Sequence, residues 1–144
     1  MIPSSSLGSV TLLDTDVLSY RFLARPEFEI FRRSLSGRVL AISFVSYAEA
    51  LKGAAMAHWG EPRVARYKQH LRTYLIIPAD VELASTWGSL AADCRLAGLS
   101  VADNDLWIAS TAKRWDIPLA TRDGTLRRVP GVRFIPESLP PSDT

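Results

Sequence analysis

The sequence predicts an α/β fold, with a mainly parallel sheet sandwiched between helices. Two observations predict it. Short apolar runs of strand type alternate along the chain with segments of helical period, and most of the connections between runs are helix-length rather than hairpin turns. A third sets the scale. At 144 residues with 47% hydrophobic and 22% charged content, the chain fits one globular domain able to bury about two thirds of the surface its unfolded chain exposes.

Taken in order, the run of β-formers VTLLD (10–14) reads as the first strand and ends on a carboxylate, Asp14, with a second, Asp16, two positions on. Helical stretches follow at about 17–23 and 28–35. VLAIS (39–43) is the second strand, SYAEALKGAAMAHW carries a helix, and another runs from Pro62 to about Tyr74. LII (75–77) is a short third strand. A long helix over about 81–96 is marked by the stripe Leu83, Trp87, Leu90, Ala91 and Cys94. In the next, about 104–115, Asp105 shares a face with Ile108, Ala109 and Ala112. PLAT (118–121) and VRFI (132–135) complete the strands. The chain reads as a single domain over 1–144, with tails at about 1–9 and 137–144.

Several function classes drop out. Cys94 falls on an apolar stripe and reads as a buried core thiol, in keeping with a reducing compartment. The opening MIPSSSLGS has no basic residue or long apolar run, and no segment could span a bilayer, so the expectation is a cytoplasmic protein that does not enter membranes. His58 and His70 lack zinc-ligand spacing and are expected at or near the surface. No nucleophile elbow, Walker loop or dinucleotide-binding glycine motif is present. Net charge is only +2, but 14 of the 17 basic residues are arginine, the better phosphate partner. A GC-rich genome would produce the same bias.

In a parallel sheet, ligands bind where the strands end. Asp14 ends the first strand and Asp123 follows the fourth; Glu49 starts from the same edge in the helix leaving the second strand. Asp103 and Asp105 open a helix whose N-terminus also lies there. Carboxylates from four segments therefore converge on one rim. Each has a local explanation: capping boxes at Ser46/Glu49 and Ser100/Asp103, a helix dipole for Asp105, a turn at Asp123–Gly124, and an N-cap for Asp16. Together these explanations fall short. A cap is worth about 1 kcal/mol, whereas two carboxylates about 4 Å apart repel by roughly 4 kcal/mol at an effective dielectric of 20. A hard, oxygen-liganded cation such as Mg²⁺ or Mn²⁺ resolves the conflict. Gly53, one turn after Glu49, leaves room for a substrate or a close helix contact.

LLDTDVLS, SYAEALKG, DNDLWIASTA and LATRD, in this order, resemble the four acidic motifs of PIN-domain ribonucleases, in particular the VapC toxins of bacterial type II toxin-antitoxin pairs. The similarity spans about 10–135. It implies a PIN-like three-layer α/β/α sandwich and Mg²⁺- or Mn²⁺-dependent endoribonuclease activity, with metal-activated water leaving 5′-phosphate and 3′-hydroxyl ends. It makes Asp14, Glu49, Asp105 and Asp123 the metal-binding, catalytic acids and Thr121 a polar supporter. Asp103 becomes a cap or a neighbouring acid, and Asp16 stands where the family commonly has Asn. A VapB-type antitoxin filling the acidic groove and a homodimer are implied as partners. Arg21, Arg25 and Arg122 are the residues we assign to gripping RNA. Two other readings stand beside this one. LLDTDVL also fits the opening of haloacid-dehalogenase phosphatases, although Lys52, Lys68 and Lys113 fit that pattern poorly, and a non-catalytic domain that binds RNA or protein would tolerate loss of the acids.

Overall fold

The computed structural model describes residues 9–141, so residues 1–8 and 142–144 of the expected tails lie outside the described residues. Strands β1 (Val10–Leu13), β2 (Val39–Ser43), β3 (Leu75–Ile77), β4 (Leu119–Ala120) and β5 (Phe134–Ile135) form one sheet. Its order is β3-β2-β1-β4-β5, and every neighbouring pair is parallel. The helices are α1 (Thr15–Phe22), α2 (Glu29–Leu35), α3 (Phe44–Met56), α4 (Glu61–Leu71), α5 (Val81–Leu96) and α6 (Asp103–Trp115). None of the described helices is long and apolar enough to cross a membrane.

β1 is buried along its whole length because both faces of the sheet are covered. Val10 and Leu12 pack with Leu90 and Cys94 of α5 and Ile108, Ala109 and Ala112 of α6. Leu13 lies on the other face with Val17 and Leu18 of α1, Phe31 of α2, Ala50 and Ala54 of α3 and Tyr67 of α4. This is the three-layer sandwich. From β1 the chain steps outward to β2 and β3, then crosses through α5 and α6 to the far side of β1. The reversal opens a crevice between the carboxyl ends of β1 and β4, the place where such sheets bind ligands.

Helix starts differ from the expected ones. α1 begins two residues early because Asp14, in extended backbone at ψ 155°, is itself the N-cap, its carboxylate accepting the Thr15 amide. Asp16 sits inside the first turn instead. α3 is capped by Ser43, whose hydroxyl accepts the Ser46 amide at 3.1 Å. Glu49 thus lies in the second turn, beyond reach of a capping box. α6 starts after Ala102 with no side-chain cap, so Ser100 and Asp103 form no capping box either. Asp80 caps α5 at the Leu83 amide and is held by Arg114 of α6 at 2.8 Å.

Ile108 is fully buried between α6 and the sheet. Ile108→Ala is expected to destabilise the chain by about 2–5 kcal/mol in a denaturant titration. A loss below about 1 kcal/mol would contradict a closed core beneath α6.

Candidate active site

The crevice is built around one carboxylate. Asp14 ends β1, where its own amide is tied to the Ala120 carbonyl of β4 at 3.0 Å, and it is only 6% exposed. One carboxylate oxygen accepts the Thr15 amide at 2.8 Å and the other accepts the Thr121 hydroxyl at 2.7 Å. Burial pushes the Asp14 carboxyl up to about 6, against those two hydrogen bonds, and the charges of Asp105 and Asp16 push it the same way. Thr121, fully buried just after β4, also accepts the Asp123 amide at 3.1 Å, so one hydroxyl positions two of the acidic residues. Arg127 braces the same residue from below through its carbonyl at 2.7 Å.

Glu49 reaches the crevice from the second turn of α3. Its Oε1 accepts the Thr15 hydroxyl at 2.7 Å, and that hydroxyl also lies 2.9 Å from buried Ser46. Its Oε2 accepts a long bond of 3.4 Å from the Asn104 amide. Asp105, half-buried in the first turn of α6, has no hydrogen bond or ion pair among the described residues. Burial raises its carboxyl, followed by the charges of Asp123, Glu49 and Asp16. Asp123 is exposed; its Oδ1 accepts the Thr125 and Leu126 amides at 2.9 Å each, the turn read from the sequence. That turn occupies one of its two oxygens.

Of the other residues singled out, Asp16 is exposed yet contributes charge to both Asp14 and Asp105. Asp103 contributes to neither and instead lines a cavity of ≈ 460 Å³ that Trp87 and Arg95 also line. Arg122 is exposed next to Asp123. Arg21 is at the far end of α1, donating to the Tyr74 hydroxyl at 2.7 Å, and Arg25 pairs with Glu27 at 3.1 Å. His58 is exposed, whereas His70 is partly buried, within 2.9 Å of the Tyr74 hydroxyl. A Cβ on Gly53 would meet nothing within 4 Å, so this glycine makes no close helix contact. Thr15 and Asn104 escaped the reading of the sequence, although Thr15 stands between Asp14 and Asp16 in the first motif, and Ser46 was read only as a cap.

The donor set is all oxygen, which suits a hard divalent cation. Among the described residues no group of three or more Asp, Glu, His or Cys is placed so that it could already hold a metal ion. Glu49 and Asp123 are each engaged by neutral donors, the Thr15 hydroxyl for one and the Thr125 and Leu126 amides for the other.

A family model for the PIN domain matches residues 11–132. Ribonuclease VapC1 of Haemophilus influenzae strain R2866 is 27% identical over 116 residues, covering 79% of this chain and 87% of that protein. Among solved structures, VapBC2 from Rickettsia felis bound to a promoter DNA fragment superposes with a TM-score of 0.75 at 23% identity, over 87% of this chain and 96% of that one. FitAcB from Neisseria gonorrhoeae gives 0.73 at 26% identity, over 86% and 95%.

The raised Asp14 carboxyl has a stability consequence. Between the ordinary carboxyl value of 3.8 and about 6, the folded chain holds a proton that the unfolded chain has released. Stability of metal-free protein therefore falls as pH rises through that window, by at most about 3 kcal/mol from this group, and is recovered on acidification. Asp14→Asn should flatten this part of the profile and raise the metal-free melting temperature at pH 7. Parallel profiles for parent and variant between pH 4 and 7 would disprove the assignment.

Proposed function

The chain belongs to the PIN-domain family, and on that premise we propose that it is a metal-dependent endoribonuclease, the toxin of a toxin-antitoxin pair, hydrolysing RNA phosphodiesters in the crevice between β1 and β4. One observation carries the reading: Asp14, Glu49, Asp105 and Asp123 reach one crevice from four separate segments, with the first held nearly out of water and the third left unpartnered. Helix caps do not account for it, since Ser43 and Ala102 occupy the cap positions of α3 and α6. The ribonuclease relatives agree with it.

In this reading the four acids would hold Mg²⁺ or Mn²⁺, which when bound supplies the Lewis acidity that activates a water and offsets charge on the phosphoryl oxygens. The chain's own residues set the geometry. Thr121 fixes one oxygen of Asp14, and Thr15 anchors Glu49 to the start of α1. Each threonine bond is with a neutral hydroxyl, so the negative charge on which the site depends is kept. Arg122 is the rim cation closest in sequence to the acids, and we assign it to a backbone phosphate. The products are 5′-phosphate and 3′-hydroxyl ends.

An antitoxin protein is the partner, as in the VapBC complexes whose fold this chain shares; that it fills the acidic crevice and that the chain forms a homodimer belong to the same proposal. Membership of the PIN family replaces the phosphatase reading. The non-catalytic reading is met by experiment.

Protein stripped with EDTA should melt higher in millimolar Mn²⁺ or Mg²⁺, because only the folded chain assembles the site. At 100 times the dissociation constant the gain is about 2.7 kcal/mol, or roughly 5–10 °C. Cleavage of total RNA should require the metal and stop in EDTA. Asp105→Asn should fold and lose at least about 100-fold in rate, more than loss of a supporting group costs. Glu49→Gln can still accept the Thr15 hydroxyl, so the metal-free variant should match or exceed the parent in melting temperature while metal response and cleavage collapse. Cleavage by either variant at the parental rate would remove that acid from the site; metal-independent cleavage would sink the mechanism.

A further inference from the structure

Next to the acids lies a groove of ≈ 440 Å³ whose lining includes Phe44, Ala48, Glu49, Lys52, Asn104 and Trp107. It shares Glu49 with the acidic site, and Asn104 is bonded to that same carboxylate. Two aromatic rings wall it, Phe44 meeting Trp107 edge-on with centroids 6.2 Å apart. Trp107 is held from behind by Trp87, stacked at 5.1 Å and 24° between planes. Trp107 therefore presents a braced ring at the rim of the crevice, two residues along α6 from Asp105. Over the groove stands Lys52, exposed and without an ion pair or hydrogen bond among the described residues.

This combination is chemically selective. A polypeptide segment would use the apolar wall, but an unpaired ammonium and a free amide carbonyl at the edge of a carboxylate site are more useful to a ligand that is both planar and anionic. We propose that the groove takes one unstacked base of the RNA strand, on the nucleotide beside the phosphate being cut, a proposal that rests on the ribonuclease reading. Trp107 is the stacking platform, Phe44 closes the far edge, the Asn104 amide meets the polar rim of the base, and Lys52 meets the adjoining phosphate. A base held in this way has left its helix, so the groove selects unpaired RNA. Its contribution follows from what aromatic stacking contributes to single-strand binding.

The test compares an eight-residue oligoadenylate with an abasic ribose-phosphate oligomer of the same length. Both are end-labelled and bound to the full chain in EDTA, so that nothing is cut, with anisotropy as the readout. The parent should bind oligoadenylate about tenfold more tightly than the abasic oligomer, the effect of roughly one stacked base. Trp107→Leu should erase that preference while leaving abasic affinity unchanged, Trp107→Phe should keep most of it, and Lys52→Ala should weaken both oligomers alike. If Trp107→Leu does not fold, quenching of the parent's tryptophan emission by oligoadenylate and not by the abasic oligomer carries the same decision. A parent without base preference overturns the groove, as does a Trp107→Leu chain that keeps the preference. So does one that loses affinity for both oligomers alike, the result expected if this face joins two copies of the chain. Cleavage of long RNA with Mn²⁺ is run alongside. A parent that cuts but shows no base preference overturns the groove alone, and one that prefers bases but cuts nothing overturns the ribonuclease reading.

Discussion

The buried carboxylate of Asp14, held between the Thr15 amide and the Thr121 hydroxyl, is the interaction around which the rest of the site is arranged. It sits where β1 ends beside β4, in a position with little water to stabilise its charge. Among the described residues its hydrogen-bond partners are neutral donors. An arginine there would make a comfortable ion pair and cancel the field; hydroxyls and amides position the oxygens and leave the charge in place. Arg127, which reaches this arrangement, binds the Thr121 carbonyl rather than the acid.

That position exists because of the strand order. Stepping from β1 outward to β3 and then crossing to β4 on the other side separates the connections at the ends of β1 and β4 and leaves a crevice between them. Into it the chain delivers Asp14 and Thr121 from strand ends and Glu49 and Asp105 from helices on opposite faces of the sheet. The two hydrophobic layers thus do more than stabilise the fold. α6 belongs to one layer and α3 mainly to the other, and only their packing onto a common sheet brings Glu49 within reach of Asn104. The aromatic wall of Phe44, Trp107 and Trp87 is a product of the same convergence, since it joins the starts of α3 and α6 to the middle of α5.

The acids repel one another, and each is held differently within the crevice. Thr15 draws Glu49 toward α1, and the turn after β4 draws Asp123 toward its own amides. Asp105, with no such alternative, faces the remaining charges.

Much of this was legible in the residues. The alternation of apolar runs and helical periods determined an α/β sandwich, and β1 and β2 read as continuous apolar segments because they are covered on both faces. The order of the four acidic motifs pointed to one rim, and Cys94 to the core. What the residues left undecided was which of two similar groups takes a role. Ser43 and Ser46 are alike in sequence, and so are Asp14 and Asp16 as helix caps. The choice fell to Ser43 and Asp14 because the sheet holds their backbones extended at the strand ends. Asp16 and Asp103 were equally near the site along the chain. Only the fold places one within the shared field and the other in the lining of the cavity that Trp87 and Arg95 also line. Hydrogen bonds such as Thr15 to Glu49, across 34 residues, leave no local pattern at either end. Composition and period are properties of neighbouring residues and can be read along the chain; the pairing of distant polar groups is decided by where the packed sheet and helices leave them.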